Sequence, residues 1–165
     1  MTTSMTPLHR EHRKLLPYIE ALRSTADSVG EAPLEVVIDA VDASYRFITR
    51  TLIPHAAAED EVMYPLVSRA MGAPMATATM RRDHVEVQRL TEELGELRWR
   101  LHRTDVLAVD LAQSLRKVLY GLYVLVSLHF AKEQEIYTPI LEKCLSTEEA
   151  DEMFASLTAA ELAHR

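Results

Sequence analysis

Two stretches of this chain decide its reading once they are written one beneath the other. The first is His55-Ala56-Ala57-Ala58-Glu59-Asp60-Glu61-Val62-Met63-Tyr64-Pro65-Leu66-Val67. The second is His129-Phe130-Ala131-Lys132-Glu133-Gln134-Glu135-Ile136-Tyr137-Thr138-Pro139-Ile140-Leu141. They align without a gap, and both read His-x3-Glu-x-Glu-[Val/Ile]-x2-Pro-[Leu/Ile]-[Val/Leu]. A fainter match precedes each of them, Arg10-Glu11-His12 before the first and Arg82-Asp83-His84 before the second, at nearly equal separations. The chain therefore reads as two helical hairpins of one plan, each with a His on its first helix and His-x3-Glu on its second. Hairpins of this kind pack as an antiparallel, up-down-up-down four-helix bundle.

The rest of the chain supports an all-α fold. It has four glycines in 165 residues, abundant Ala, Leu, Glu and Arg, and no strand-type alternation. Thr6-Pro7 predicts a cap and a first-turn proline for helix A, running to about Ser28 with a kink at Pro17. A connection over residues 24–33 leads to helix B, about Leu34 to Arg69, which Pro54 and Pro65 are expected to bend or break. After Met71-Gly72-Ala73-Pro74-Met75, helix C spans about Ala78 to His102. Thr104-Asp105 is expected to cap helix D, which continues to about Lys143 with Pro139 disturbing its last turns. Ser146-Thr147-Glu148-Glu149 is a capping box opening a short helix E. The division expected is a bundle over residues 1–145 and a C-terminal helix over 146–165, packed on it or extending from it.

Composition removes several function classes. The length suits one domain of the usual ~100–150 residues with one sizeable core. A lone cysteine, Cys144, excludes an internal disulfide scaffold and points to a cytoplasmic protein. No apolar leader opens the chain, and its most apolar stretch, Val118 to Ala131, is shorter than the ~20 residues of a membrane span. A net charge of −7 argues against nucleic acid as a partner. Seven histidines are many for so acidic a protein.

Their positions suggest a use. Residues four apart share a helix face, so His55 points with Glu59 and His129 with Glu133. Ile48 and Leu52 precede His55 at the inward spacing, and Leu122 and Val126 precede His129, which places these polar groups on the core stripe. Four imidazoles and two carboxylates are expensive to bury unpaired, and a metal centre resolves that cost. Two carboxylates on facing helices can each bridge two ions while the histidines terminate the site. Mixed nitrogen and oxygen donors suit a dinuclear iron or manganese centre, or another divalent metal, better than structural zinc.

The set His12, His55-x3-Glu59, His84, His129-x3-Glu133 resembles the hemerythrin-like, or HHE cation-binding, domain over roughly residues 6 to 143. The resemblance implies two iron ions with an oxo or hydroxo bridge. His12 and His55 would bind one iron, His84 and His129 the other, and Glu59 and Glu133 would bridge. The oxygen-carrying members have a further histidine where this chain has Gln88, and their last motif ends in Asp after four residues rather than Glu133 after three. With one ligand fewer, open positions remain for a peroxide, O2 or NO, which favours an oxidoreductase over simple oxygen carriage. An unidentified reductant would serve it. Reversible O2 or NO binding, sensing or iron storage without turnover is the alternative. Gln88, His9, Tyr137 or water are the groups that could fill the vacant position.

One turn beyond the carboxylates stand Met63 and Tyr137, and Tyr137 is the candidate phenol to donate a proton or bind iron. Glu61 and Glu135 read as outer-layer partners or surface charges. His102 and His164 read as helix-end residues, and Tyr64, Tyr120 and Tyr123 as packing. Arg81-Arg82 and Arg98-Trp99-Arg100 read as solvated faces.

Overall fold

The computed structural model describes residues 5–165, and among them every regular element is helical. The leader reading of residues 1–4, and the Thr6 side chain proposed as a cap, lie outside the described residues. We label the helices α1 (Thr6–Ser28), α2 (34–70), α3 (Ala78–Leu101), α4 (109–144) and α5 (Thr147–Ala163). Pro7 sits in the first turn of α1, where a missing N–H costs nothing. Gly30 (φ 87°) and Gly72 (φ 61°), just past α1 and α2, take the left-handed conformation that turns the chain back.

Helix α2 does not break at its prolines. It passes through π turns at Ile48–Leu52 and Glu59–Met63, and α4 does so at Glu133–Tyr137. Each π turn ends two residues before a proline, Pro54, Pro65 and Pro139 respectively. Proline lacks the N–H for the carbonyl four residues back and crowds it, and a widened turn accommodates that carbonyl while the helix continues. Two of the three π turns begin at the matched carboxylates Glu59 and Glu133.

The start of α4 also differs from expectation. Thr104 donates its hydroxyl to the Val106 carbonyl at 2.5 Å inside a loop, and the helix begins only at Val109. That local bond uses the side chain that would have capped the helix. The capping box at α5 forms as read, with Glu149 N–H donating to Ser146 Oγ at 3.2 Å and Ser146 N–H donating to Glu149 Oε2 at 2.9 Å.

Helix α1 packs on α2 and α4, and α3 packs on α2 and α4, which closes the four-helix ring. Helix α5 lies against residues 53–63 of α2. One apolar cluster includes Leu15, Leu52, Val87 and Val126, and a second includes Leu8, Ala58, Met80 and Tyr137. On every helix of the ring, the chain passes from one cluster to the other through a buried histidine: His12, His55, His84 and His129. No described helix is long and apolar enough to cross a membrane.

Candidate metal centre

Each helix of the ring supplies part of one buried polar cluster. His12 comes from α1, His55 and Glu59 from α2, His84 from α3, and His129 and Glu133 from α4. Helical spacing sets His55 Nε2 2.9 Å from Glu59 Oε1 and His129 Nε2 3.3 Å from Glu133 Oε1. Across the bundle, His12 Nε2 is 3.5 Å from Glu59 Oε1 and from Glu133 Oε2, and His84 Nε2 is 3.5 Å from Glu59 Oε2. Two sets of converging donors result: His12, His55 and Glu59, and Glu59, His84 and His129. Glu59 belongs to both.

The donors fit cations. His12 Nε2, His55 Nε2, both Glu59 oxygens and Glu133 Oε2 are buried without a hydrogen-bond partner. An unsatisfied buried group costs on the order of 1–3 kcal/mol, so this many orphans on one surface call for a ligand. The Nε2 atoms of His84 and His129 stand 3.0 Å apart, a separation that needs a proton or an ion between two lone pairs.

The electrostatics agree. Burial opposes charging of His55, but Glu59, Glu161 and Glu133 outweigh it and hold its pKa well above the ordinary imidazole value. Burial likewise opposes His84, and the nearby carboxylates of Asp60 and Glu59 carry it up to about 9. His129 is raised against its burial by Glu133 and Glu59. Burial alone would raise Glu59, yet the surrounding histidines, His55 foremost, hold it well below the carboxylate range. A cluster that draws protons onto buried imidazoles is one that demands positive charge.

Two of the four histidines, His55 and His129, are hydrogen-bonded from behind by a carboxylate, and His84 has one close behind it without a hydrogen bond. Glu161 Oε1 lies 2.7 Å from His55 Nδ1, Asp60 Oδ2 3.2 Å from His84 Nδ1, and Asp83 Oδ2 3.1 Å from His129 Nδ1. Each carboxylate has its own cation: Arg165 near Glu161, Arg81 on Asp60 and Lys132 on Asp83. An acceptor at Nδ1 fixes the tautomer whose Nε2 lone pair faces inward, the usual outer layer of a metal site. His12 Nδ1, like His84 Nδ1, makes no hydrogen bond, and the His12 ring stacks on Phe130 at 4.4 Å. Arg81 is thus more than a solvated charge, since its Nη2 also donates to the Asp60 carbonyl at 2.9 Å.

The structure does not bring Tyr137 to the cluster. Its hydroxyl donates to the Ala76 carbonyl at 3.0 Å. The phenol at the site belongs to Tyr64, read from sequence as packing. Tyr64 donates to Glu133 Oε1 at 2.7 Å and lies 3.1 Å from His129 Nε2 and 3.4 Å from His84 Nε2. The π turn accounts for the difference: widening the helix at Glu59–Met63 makes the fifth residue after the carboxylate, rather than the fourth, the one that reaches the centre. Burial, then the charges of Glu59 and Glu133, push the Tyr64 hydroxyl pKa upward, so it stays a proton donor.

Gln88 is exposed, and His9 is half-buried and outside the donor groups among the described residues. Glu61 and Glu135 are exposed, Glu61 pairing with His164 at 3.2 Å. His102 pairs with Asp42 far along the bundle at 2.9 Å. Glu161, Asp60 and Asp83 were not foreseen as partners of the site. The only sequence signal was the repeat, which sets Glu11 and Asp83 before equivalent histidines. A cavity of about 20 Å³, walled by Leu52, Val87, Val126 and Phe130, reaches Glu59, His84 and His129. That is room for roughly one water-sized ligand.

This buried His/Glu centre inside a four-helix ring defines a cation-binding helical bundle. The sequence model of the hemerythrin HHE cation-binding domain matches residues 4–141, and the chain belongs to that family. No curated protein and no solved structure matches the chain significantly.

Proposed function

We propose that this chain holds two iron ions and is an oxidoreductase that reacts with hydrogen peroxide, O2 or NO. The observation that carries this reading is the pair of His-His-Glu donor sets that share Glu59. His12 and His55 would hold one ion, His84 and His129 the other, and Glu59 and Glu133 would lie between them. When bound, the pair of ions would supply Lewis acidity and electron storage for a small oxidant.

The chain's own residues supply the rest. Tyr64 keeps a proton on its hydroxyl, directed at Glu133 Oε1, where a donor stands ready for a developing anion. Glu59 and Glu133 offset the charge of bound cations inside an otherwise apolar core. Leu52, Val87, Val126 and Phe130 wall a small cavity beside Glu59, His84 and His129, which favours a small ligand over a bulky one. That preference supports a diatomic or peroxide ligand.

The test is to load the purified protein with iron, record its near-ultraviolet and visible spectra, and follow peroxide loss and oxygen release together. Rapid peroxide loss with charge-transfer bands supports the enzyme. A stable, reversible O2 adduct with no turnover would replace it with the carrier reading.

A further inference from the structure

His129 and His55 occupy equivalent places in the repeat, and each needs an acceptor at Nδ1. For His129 the acceptor is Asp83, the residue just before His84. The repeat puts Glu11 in the same place before His12. Yet the oxygen 2.7 Å from His55 Nδ1 belongs to Glu161. Glu11 stands alongside, with Glu11, His55 and Glu161 presenting ligand-type atoms within 4.8 Å of one another.

Glu161 lies on α5, beyond residue 141 where the family match ends. Helix α5 is seated firmly enough to aim it: Ala150, Met153, Leu157 and Ala160 are buried in one cluster with Ala58 and Met63 of α2. Those α2 residues flank Glu59, and α5 packs along the segment that carries both His55 and Glu59. The Glu161 side chain is 13% exposed, so its bond to His55 is largely shielded from water.

We infer that α5 is a working part of the centre: its docking and the occupancy of the His12/His55 position are coupled through the bond between Glu161 and His55 Nδ1. The inference rests on the two-ion reading above. Docked α5 holds the His55 tautomer whose Nε2 faces the ion and makes that nitrogen a better donor. By reciprocity, an ion on His55 strengthens the seat of α5. Glu161 is therefore a positioning residue, supplied by the non-repeated end of the chain to one half of a duplicated site.

The test uses full-length metal-free protein titrated anaerobically with cobalt(II) alone, followed by its ligand-field spectrum, with hydrogen exchange of residues 147–163 measured before and after loading. In wild type, two ions bind and exchange in α5 slows on loading. Glu161→Gln, equal in shape, weakens one ion by roughly 10–100-fold, leaves the other, and abolishes the slowing. Asp83→Asn weakens the other ion and leaves α5 protection intact. Met153→Ala with Leu157→Ala loosens α5 without touching the carboxylate and weakens the same ion as Glu161→Gln. Wild-type affinity for both ions in Glu161→Gln overturns the inference, as does α5 exchange that loading does not change. Equal weakening of both ions by Glu161→Gln also overturns it. Failure of wild type to bind any ion overturns the two-ion reading itself, whatever Glu161 does.

Discussion

The half of the centre built by His12 and His55 and the half built by His84 and His129 share one ligand plan and differ in which elements support it. Around the second half, Asp83 bonds His129 Nδ1, Asp60 stands 3.2 Å from a His84 Nδ1 that makes no hydrogen bond, Arg81 and Lys132 back those carboxylates, and Tyr64 reaches across from α2 to Glu133. Around the first, His12 has no partner at Nδ1, and His55 depends on Glu161 from α5. Position 138, equivalent to Tyr64 in the repeat, is a buried threonine whose hydroxyl has no hydrogen-bond partner. Duplication of a hairpin supplies ligands in register. The environment that tunes each ion comes from side chains the two halves do not share, so the two positions should differ in affinity and chemistry.

The largest expected effect erases the difference. Glu59 belongs to both donor sets, so Glu59→Ala should empty both positions, whereas His12→Ala should empty only one. Metal content by elemental analysis decides, and retention of either ion without Glu59 breaks the shared-carboxylate account. Next is Tyr64→Phe, which should keep both ions and slow peroxide turnover by about 10²-fold, the low end for a lost proton donor. Unchanged turnover would reduce the phenol to a structural bond.

Smaller effects bear on stability. Tyr64→Phe strips a buried carboxylate of its donor and should cost the metal-free protein about 1–3 kcal/mol in urea unfolding. Thr138→Val at the matched position removes a buried hydroxyl that makes no bond and should instead stabilise the protein, by about 1 kcal/mol or more. Equal costs at the two positions would contradict the asymmetry.

The smallest effect belongs to a control outside the centre. Asp42 receives Arg98 at 2.6 Å and His102 at 2.9 Å, a carboxylate, imidazole and cation set like those behind the ligands, but with His102 39% exposed. Asp42→Asn should cost under ~1 kcal/mol and leave metal content unchanged. Partial burial acts to raise the Asp42 pKa, and the bonds from His102 and Arg98 overcome it and lower it. Its contribution is therefore present above the unfolded value of roughly 3.9 and lost as pH falls through the lowered one, which urea unfolding at pH 3 to 6 would detect.

Much of this molecule was legible in its sequence. The gap-free match of two His-x3-Glu stretches set the bundle, its chain order and the six side chains that converge, because helical spacing is a local rule. Tyr64 was missed because the rule changes where the helix widens into a π turn, and Tyr137 was favoured on α-helical spacing that does not hold there. Pro54 and Pro65 suggested breaks, since sequence does not tell a broken helix from one that absorbs its proline in a wider turn. Glu161 was invisible for another reason. Its contact with His55 spans most of the chain, outside the repeat, and only the docked position of α5 reveals it.

The central claim is that two ions share one carboxylate between unequal halves. Its most direct test is the number of tightly bound iron ions per chain after anaerobic loading and removal of excess metal. The account predicts two, released in two resolvable steps as a chelator is added. A single ion per chain, none, or two that leave together in one step would contradict it.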